Sequence, residues 1–292
     1  MRYCAYKDHI EQENTLQDRI LEQIYGHAAT RFLIRPFITP AFSKIAGQFL
    51  DSRASRFLIR PFIRLNHISL RECEKKTFSS FNDFFTRRLK KDSRPFSENP
   101  KHLISPCDAR LTVYPITQTS TFRIKNTRYT LEQLLKNETL ARHFEGGFLF
   151  LFRLSVDDYH RYIYVDDAIR SAERTIDGVL HTVNPAAAGQ VPIYKENCRE
   201  YSLLKSRHFG TLLQMEVGAM MVGKIVNHKK RCSGISVKRG QEKGYFAFGG
   251  STILLLTQHD KVLPNSELLS LSARGIETKV LQGETIGKAF CL

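Results

Sequence analysis

Tyr245-Phe-Ala-Phe-Gly-Gly-Ser-Thr-Ile-Leu-Leu-Leu256 sets two apolar runs on either side of Gly249-Gly250-Ser251-Thr252. Runs this short, bounded by glycine, read as strands. A Gly-Gly-Ser turn taken alone is a hairpin bend, because glycine accepts positive φ and serine bonds its own backbone. The same pattern recurs outward from this segment. Short apolar runs fall at Leu111–Ile116, Phe148–Leu154, Tyr162–Val165 and Leu212–Val217. Asp177-Gly178, Asn184-Pro185, Gly240 and Pro264-Asn265 supply turns between them. Many short strands with turn residues between them predict a β-rich region after Pro100, with Leu131–Phe144 as a helical insertion.

The first third reads differently. Leu16, Ile20, Leu21 and Ile24 are spaced for a helix, and Met1 to Gln23 is polar and helix-like with no apolar signal-peptide core. Arg31-Phe-Leu-Ile-Arg-Pro-Phe-Ile38 recurs unchanged as Arg56-Phe-Leu-Ile-Arg-Pro-Phe-Ile63. Two copies are too few for a solenoid. Residues 31–70 hold seven Arg or Lys against one acid, Asp51, with Phe and Ile between the cations. That mixture fits short amphipathic segments lying in a membrane interface, with apolar faces in the acyl boundary and Arg on lipid phosphate. The competing reading packs the same faces on the rest of the protein. Ser80–Lys91 predicts a helix capped by Ser79 or Ser80, with Phe81, Phe84, Phe85 and Leu89 as its apolar stripe. The expected class is α+β: a helical, basic N-terminal region followed by a β-rich, sheet-packed or barrel-like catalytic domain.

The 292 residues carry a formal charge of +15, with 42% hydrophobic and 25% charged residues. This is globular composition, and its charge suits an anionic partner. No run is long enough to span a membrane as a helix. Cysteines 4, 73, 107, 198, 232 and 291 are scattered without CxxC spacing, so they read as reduced thiols of a cytosolic compartment, and no metal site is expected. Gly218-Ala-Met-Met-Val-Gly-Lys224 imitates a phosphate loop, but Ile225 cannot ligate magnesium as Ser or Thr would. No zinc-finger or helix-turn-helix pattern supports a nucleic-acid partner.

Several motifs together give a sharper reading. They are Ser80-Phe-Asn-Asp-Phe-Phe-Thr-Arg-Arg-Leu89 with Arg94-Pro95, Ser105-Pro-Cys-Asp108, Asp158-Tyr-His-Arg-Tyr162 and His181-Thr-Val-Asn-Pro185. Glu216-Val-Gly-Ala219, Val222-Gly-Lys-Ile225 and Phe248-Gly-Gly-Ser-Thr-Ile253 follow in order. The chain resembles the pyruvoyl-dependent phosphatidylserine decarboxylases over about two thirds of its length, from about Ser80 to Gly287, in particular the bacterial branch with a Gly-Gly-Ser-Thr processing site. Residues before about 70 match in character only.

The resemblance implies that phosphatidylserine becomes phosphatidylethanolamine and CO₂, through a Schiff base with a covalent pyruvoyl cofactor made from Ser251. It implies a membrane-associating region 1–75 and a decarboxylase domain 76–292. The second would cleave itself between Gly250 and Ser251 into a beta chain 1–250 and an alpha chain 251–292, which stay associated. It places the protein peripherally on the cytoplasmic side of the cell membrane, on an anionic surface, and admits a homodimer. Serine fits the chemistry because its β-oxygen serves as nucleophile and then as leaving group. A base must activate it and a second group must orient the base. Asp108 takes the second role by resemblance, although by itself it reads as a turn residue after Pro106. Many family members carry a second histidine where this chain has Ile163. His160 is then the expected base, and also the group that reprotonates the substrate carbon, with His181 in reserve. Two other readings stand beside this one: a pyruvoyl-dependent decarboxylase of a soluble amino acid, and a non-catalytic basic binding module.

Overall fold

Strands form where the apolar runs predict them, and tertiary pairing adds others that no pattern announces. In chain order the strands are β1 (Arg2–Ala5), β2 (Ile10–Glu13), β3 (His102–Ile104), β4 (Ala109–Pro115), β5 (Thr121–Ile124), β6 (Thr127–Thr130), β7 (Phe148–Leu154), β8 (Arg161–Ile163), β9 (Ala168–Arg170) and β10 (Arg174–Ile176). They continue with β11 (Arg199–Ser206), β12 (Thr211–Val217), β13 (Ile225–Asn227), β14 (Ile235–Val237), β15 (Glu242–Phe246), β16 (Ser251–Leu256), β17 (Val262–Pro264), β18 (Ile276–Val280) and β19 (Thr285–Ala289). The helices are α1 (Pro40–Asp51), α2 (Ile59–Leu65), α3 (Phe81–Phe85), α4 (Leu131–Leu135), α5 (Glu138–Arg142), α6 (Ile193–Glu196) and α7 (Ser266–Ala273), with a 3-10 helix at Arg53–Leu58. The computed structural model describes residues 2–6, 9–13, 23, 27, 30, 39–117, 119, 121–124, 127–182, 193–219, 224–228, 232–249 and 251–290. The class is α+β, with a short helical N-terminal region and a β-rich remainder.

An 11-stranded sheet runs in the order β14-β9-β11-β12-β16-β7-β4-β18-β1-β2, with β10 on β11. Its pairs are antiparallel except β1 with β18. The strand that starts at Ser251 lies deep in this sheet, between β12 and β7. Side chains alternate across it. Leu254 and Leu256 enter one apolar layer with Leu213, Met215 and Val217, beneath α4, α5 and the β5–β6 hairpin. Ile253 and Leu255 enter the opposite layer with Phe150, Phe152 and Leu154. Two three-stranded sheets, β13-β15-β8 and β17-β19-β3, contribute Tyr162, Phe246, Val262 and Ile286 to that second layer.

Three expectations need correction. The helical character read across Met1 to Gln23 gives way at its start to the β1–β2 hairpin, whose Tyr3 and Cys4 pair with Ile276 and Glu277. Leu16, Ile20, Leu21, Ile24 and the first repeat copy, 31–38, lie outside the described residues. The helix read over Ser80–Lys91 ends at Phe85. Ser80 caps it, its Oγ accepting from the Asp83 N–H at 3.1 Å. Beyond it Arg87 turns inward and donates to the carbonyls of Asp157 and Asp158 at 3.1 and 3.3 Å. Leu89 bridges to Cys73. The insertion 131–144 is two short helices, divided where Lys136 takes a left-handed φ of 51° and Asn137 caps the second.

The second repeat copy spans the 3-10 helix and α2, and its phenylalanines separate. Phe62 meets Phe81, Phe84 and Phe248 edge-on at centroid distances of 5.0, 6.1 and 5.9 Å. Phe57 is 67% exposed and Leu65 79%. The repeat therefore both packs and presents an apolar surface. No helix among the described residues is long and apolar enough to cross a membrane.

Candidate active site

The approach to Ser251 is held by a phenylalanine cluster. Phe248 packs on Phe81 and Phe85 at 4.9 and 5.1 Å. Its N–H donates to Asn82 Oδ1 at 3.2 Å, and Asn82 Nδ2 in turn donates to Asp51 Oδ1 at 2.8 Å. Gly249 follows with φ 136°, a region that favours a residue without Cβ. Gly250 lies outside the described residues. Ser251 opens β16 opposite Leu154 on β7. It is fully buried, and its Oγ has no hydrogen-bond partner among the described residues. A buried hydroxyl without a partner costs free energy.

His160 follows the turn that leaves β7. Its Nδ1 lies 2.9 Å from the Asp158 carbonyl, which fixes the proton on Nδ1 and leaves Nε2 as a lone pair. Nε2 is buried and unpartnered among the described residues. The ring packs on Phe85 at 4.2 Å, the same Phe85 that touches Phe248. Burial pushes its pKa down to about 4, against a smaller upward pull from Asp158. The imidazole is therefore neutral at pH 7.

Asp108 is buried, and its carboxylate is engaged by Arg94 and the Gln282 backbone. Arg94 grips its carboxylate in a fork, Nε to Oδ1 at 2.9 Å and Nη2 to Oδ2 at 2.7 Å, and the Gln282 N–H donates to Oδ1 at 2.8 Å. Among the described residues no hydrogen bond joins Asp108 to His160. Asp108, Asp158, Arg87, Arg94 and Lys279 line a polar pocket of about 170 Å³, and Tyr159, next to His160 in the chain, lines it too. Asp158 is held by Lys279 and Arg110, which keep its carboxyl below the usual range although burial alone would raise it. His181 sits apart. Its backbone N–H donates to Asn197 Oδ1 at 2.9 Å, and Asn197 Nδ2 also reaches the Gly218 carbonyl at 2.7 Å. Ile163 is core.

Pattern reading missed the buried charges. Glu216, Lys243, Glu173 and Arg170 have side chains with no exposure. The available signal was a Glu inside the apolar strand Leu212–Val217, since an ion is not left in a core without a partner. No group of His, Cys, Asp or Glu able to hold a metal occurs among the described residues, and no disulfide joins Cys4, Cys73, Cys107, Cys198 or Cys232.

Comparison with known proteins fits this geometry. A sequence model of the family described as phosphatidylserine decarboxylase matches residues 81–288. The chain is 44% identical to phosphatidylserine decarboxylase proenzyme 2 of Clostridium acetobutylicum over 280 residues, covering 96% of this chain and 95% of that protein. It is 39% identical to the phosphatidylserine decarboxylase proenzyme of Clostridium tetani and 40% identical to that of Clostridium novyi. Those alignments cover 96% and 94% of this chain, and 95% and 94% of the respective proteins. The matched span contains Asp108, His160 and Ser251. The chain belongs to the phosphatidylserine decarboxylase family, and is a carboxy-lyase.

Proposed function

We propose that the chain decarboxylates phosphatidylserine to phosphatidylethanolamine and CO₂, using a pyruvoyl group made from Ser251 after scission between Gly250 and Ser251. The observation that carries the reading is the buried, unpaired Ser251 hydroxyl directly after the Gly249 turn. The residue fits the group, because the hydroxyl is free to attack and the buried site keeps water from competing. Once formed, the pyruvoyl ketone supplies an electron sink for the carbon that loses CO₂. The remaining work falls to side chains of this chain. His160 presents a buried Nε2 lone pair that can relay a proton, while burial keeps the resting ring neutral. The Arg94 fork fixes Asp108 and keeps the polar pocket ordered. Arg87 and Lys279, on the same pocket, are placed to receive anionic parts of a substrate headgroup.

The unit 76–292 would carry the reaction and 1–75 would bring it to the lipid. Ile45, Phe49, Phe57 and Leu65 are exposed among exposed Arg53, Arg56 and Arg60, which suits an anionic membrane surface. A soluble amino acid as substrate would need no such surface, and a binding module would need no buried serine at a glycine turn.

The test is intact mass under denaturing conditions, followed by CO₂ release from phosphatidylserine vesicles. Wild type should give chains 1–250 and 251–292, the second blocked by pyruvoyl. Ser251→Ala should remain whole and inactive. Scission and full activity in the alanine variant would overturn the assignment.

A further inference from the structure

Self-cleavage, which rests on the function proposed for Ser251, needs an acceptor for the serine proton. Asp108, expected to orient the base, lies in the Arg94 fork, and Ile163 stands where many family members carry a second histidine. His160 has a free lone pair, but its dry surroundings oppose a positive ring.

The register of the central sheet brings another group to the serine. Glu216 on β12 lies opposite Ile253 on β16. Ser251 is two residues before Ile253, so all three side chains share one face of the sheet. Residues in this diagonal relation lie about 7–8 Å apart at Cα, within reach of a long side chain. Both groups are fully buried and both keep an open atom: Ser251 Oγ and Glu216 Oε1 have no hydrogen-bond partner among the described residues. Glu216 is aimed by its other oxygen. Oε2 accepts from Lys243 Nζ at 2.6 Å and from Asn227 Nδ2 at 3.1 Å.

Further charged groups surround this carboxylate. Lys243 from β15 also meets Glu173 at 3.2 Å, and Glu173 is held by Arg170 of β9 at 2.8 Å. Glu200 of β11 pairs directly across from Glu216, and Asn227 of β13 bridges the two at 3.1 Å each. Tyr162 of β8 donates to Asn227 Oδ1 at 3.1 Å, and burial holds that phenol and the nearby Tyr164 above their ordinary range, so both are neutral. Glu216 thus lies among buried, coupled charges, where desolvation favours its protonated form and Lys243 opposes that shift.

We propose that Glu216 is the group that accepts the Ser251 hydroxyl proton during self-cleavage. The serine Oγ forms a bond to the Gly250 carbonyl carbon while its proton passes to Glu216 Oε1. The Gly250–Ser251 C–N bond then breaks, and the same proton goes to the Ser251 nitrogen. The product is an ester with a free amine, and Glu216 returns to its carboxylate. No other reactant enters. Lys243 is a positioning residue that holds the carboxylate by Oε2 and leaves Oε1 open. Burial, only partly opposed by Lys243, raises the Glu216 pKa to about 7, which makes it a far stronger acceptor than His160 at about 4.

The test follows scission of freshly purified precursor by intact mass, after a jump from pH 5 to a series of pH values. Wild type should slow about tenfold per pH unit below about 7, because only the carboxylate accepts a proton. Glu216→Gln keeps shape and hydrogen bonds but should slow scission roughly 100-fold or more and lose the acid limb. Glu216→Asp should recover part of the rate. A Gln variant that cleaves like wild type overturns the proposal, and so does a wild-type rate that stays level from pH 7 down to about 4. The second measurement needs no variant and decides the matter if Glu216→Gln does not fold. A wild-type chain that never cleaves at any pH overturns the pyruvoyl reading itself, and this proposal with it.

Discussion

The central sheet and the N-terminal helical cap distribute polarity in opposite ways. The sheet buries Arg170, Glu173, Glu216 and Lys243 completely, while the cap exposes Ile45, Phe49, Phe57 and Leu65 beside Arg53, Arg56 and Arg60. Ordinary folding puts ions outside and large apolar side chains inside. Each inversion is costly unless the environment repays it. Inside the sheet, ion pairs and a bridging Asn227 meet the cost of desolvation. On the cap the environment we propose is a lipid boundary, where an apolar face and an arginine are both at home.

That contrast can be broken most directly by removing one charge from each region. Lys243→Ala should cost about 3–5 kcal/mol, since it strands Glu216 in the core. Arg60→Ala on the exposed cap should change stability by less than about 0.5 kcal/mol. Equal losses in urea unfolding would erase the distinction.

The interior also has a pH signature. Burial depresses His160 from 6.5 to about 4, so the unfolded chain takes up this proton first as pH falls. The His160 contribution is whole above about 6.5, declines as pH drops, and is spent near 4, a loss on the order of 3 kcal/mol. Glu216 acts with the opposite sign, because its raised pKa costs stability as pH rises through about 7. Subtracting the stability profile of His160→Gln from that of wild type isolates the histidine. A flat difference between pH 7 and 4 would contradict its dry setting.

The cap gives smaller effects, seen in binding rather than folding. Phe57→Ser with Leu65→Ser should weaken sedimentation with phosphatidylserine vesicles by roughly 2–3 kcal/mol and leave the unfolding midpoint in place. Phe62→Ser should lower the midpoint instead, since Phe62 packs on Phe81 and Phe248. Smallest of all, Arg56→Gln or Arg60→Gln should each cost about 1 kcal/mol of vesicle binding in low salt, and less as salt is added.

Legibility from sequence followed the same division. Phe148–Leu154 was readable because a strand buried on both faces is apolar at every position. Ser251 was singled out by the resemblance alone, since a Gly-Gly-Ser turn by itself reads as a hairpin bend. Arg87 was not readable: periodicity places it on an exposed helix face, while the chain turns after Phe85 to send its guanidinium to two distant carbonyls. The β1 strand was not, because Arg2–Ala5 is only four residues long and its conformation comes from pairing with a strand more than 270 residues away. Nor was the Lys243–Glu216 pair, since the two residues are made neighbours only by the small sheet lying over the large one.

The place of β16 has a consequence for the order of events. A break before Ser251 would free a fragment whose first strand is already hydrogen-bonded on both sides, to β12 and β7, and whose β18 links β4 to β1. The two pieces would be interlocked like threads of one weave, separable only by dissolving the fabric. Scission that depends on this weave cannot run ahead of it. The appearance of the short chain would then serve as the molecule's own certificate that assembly is complete, issued once and not revocable.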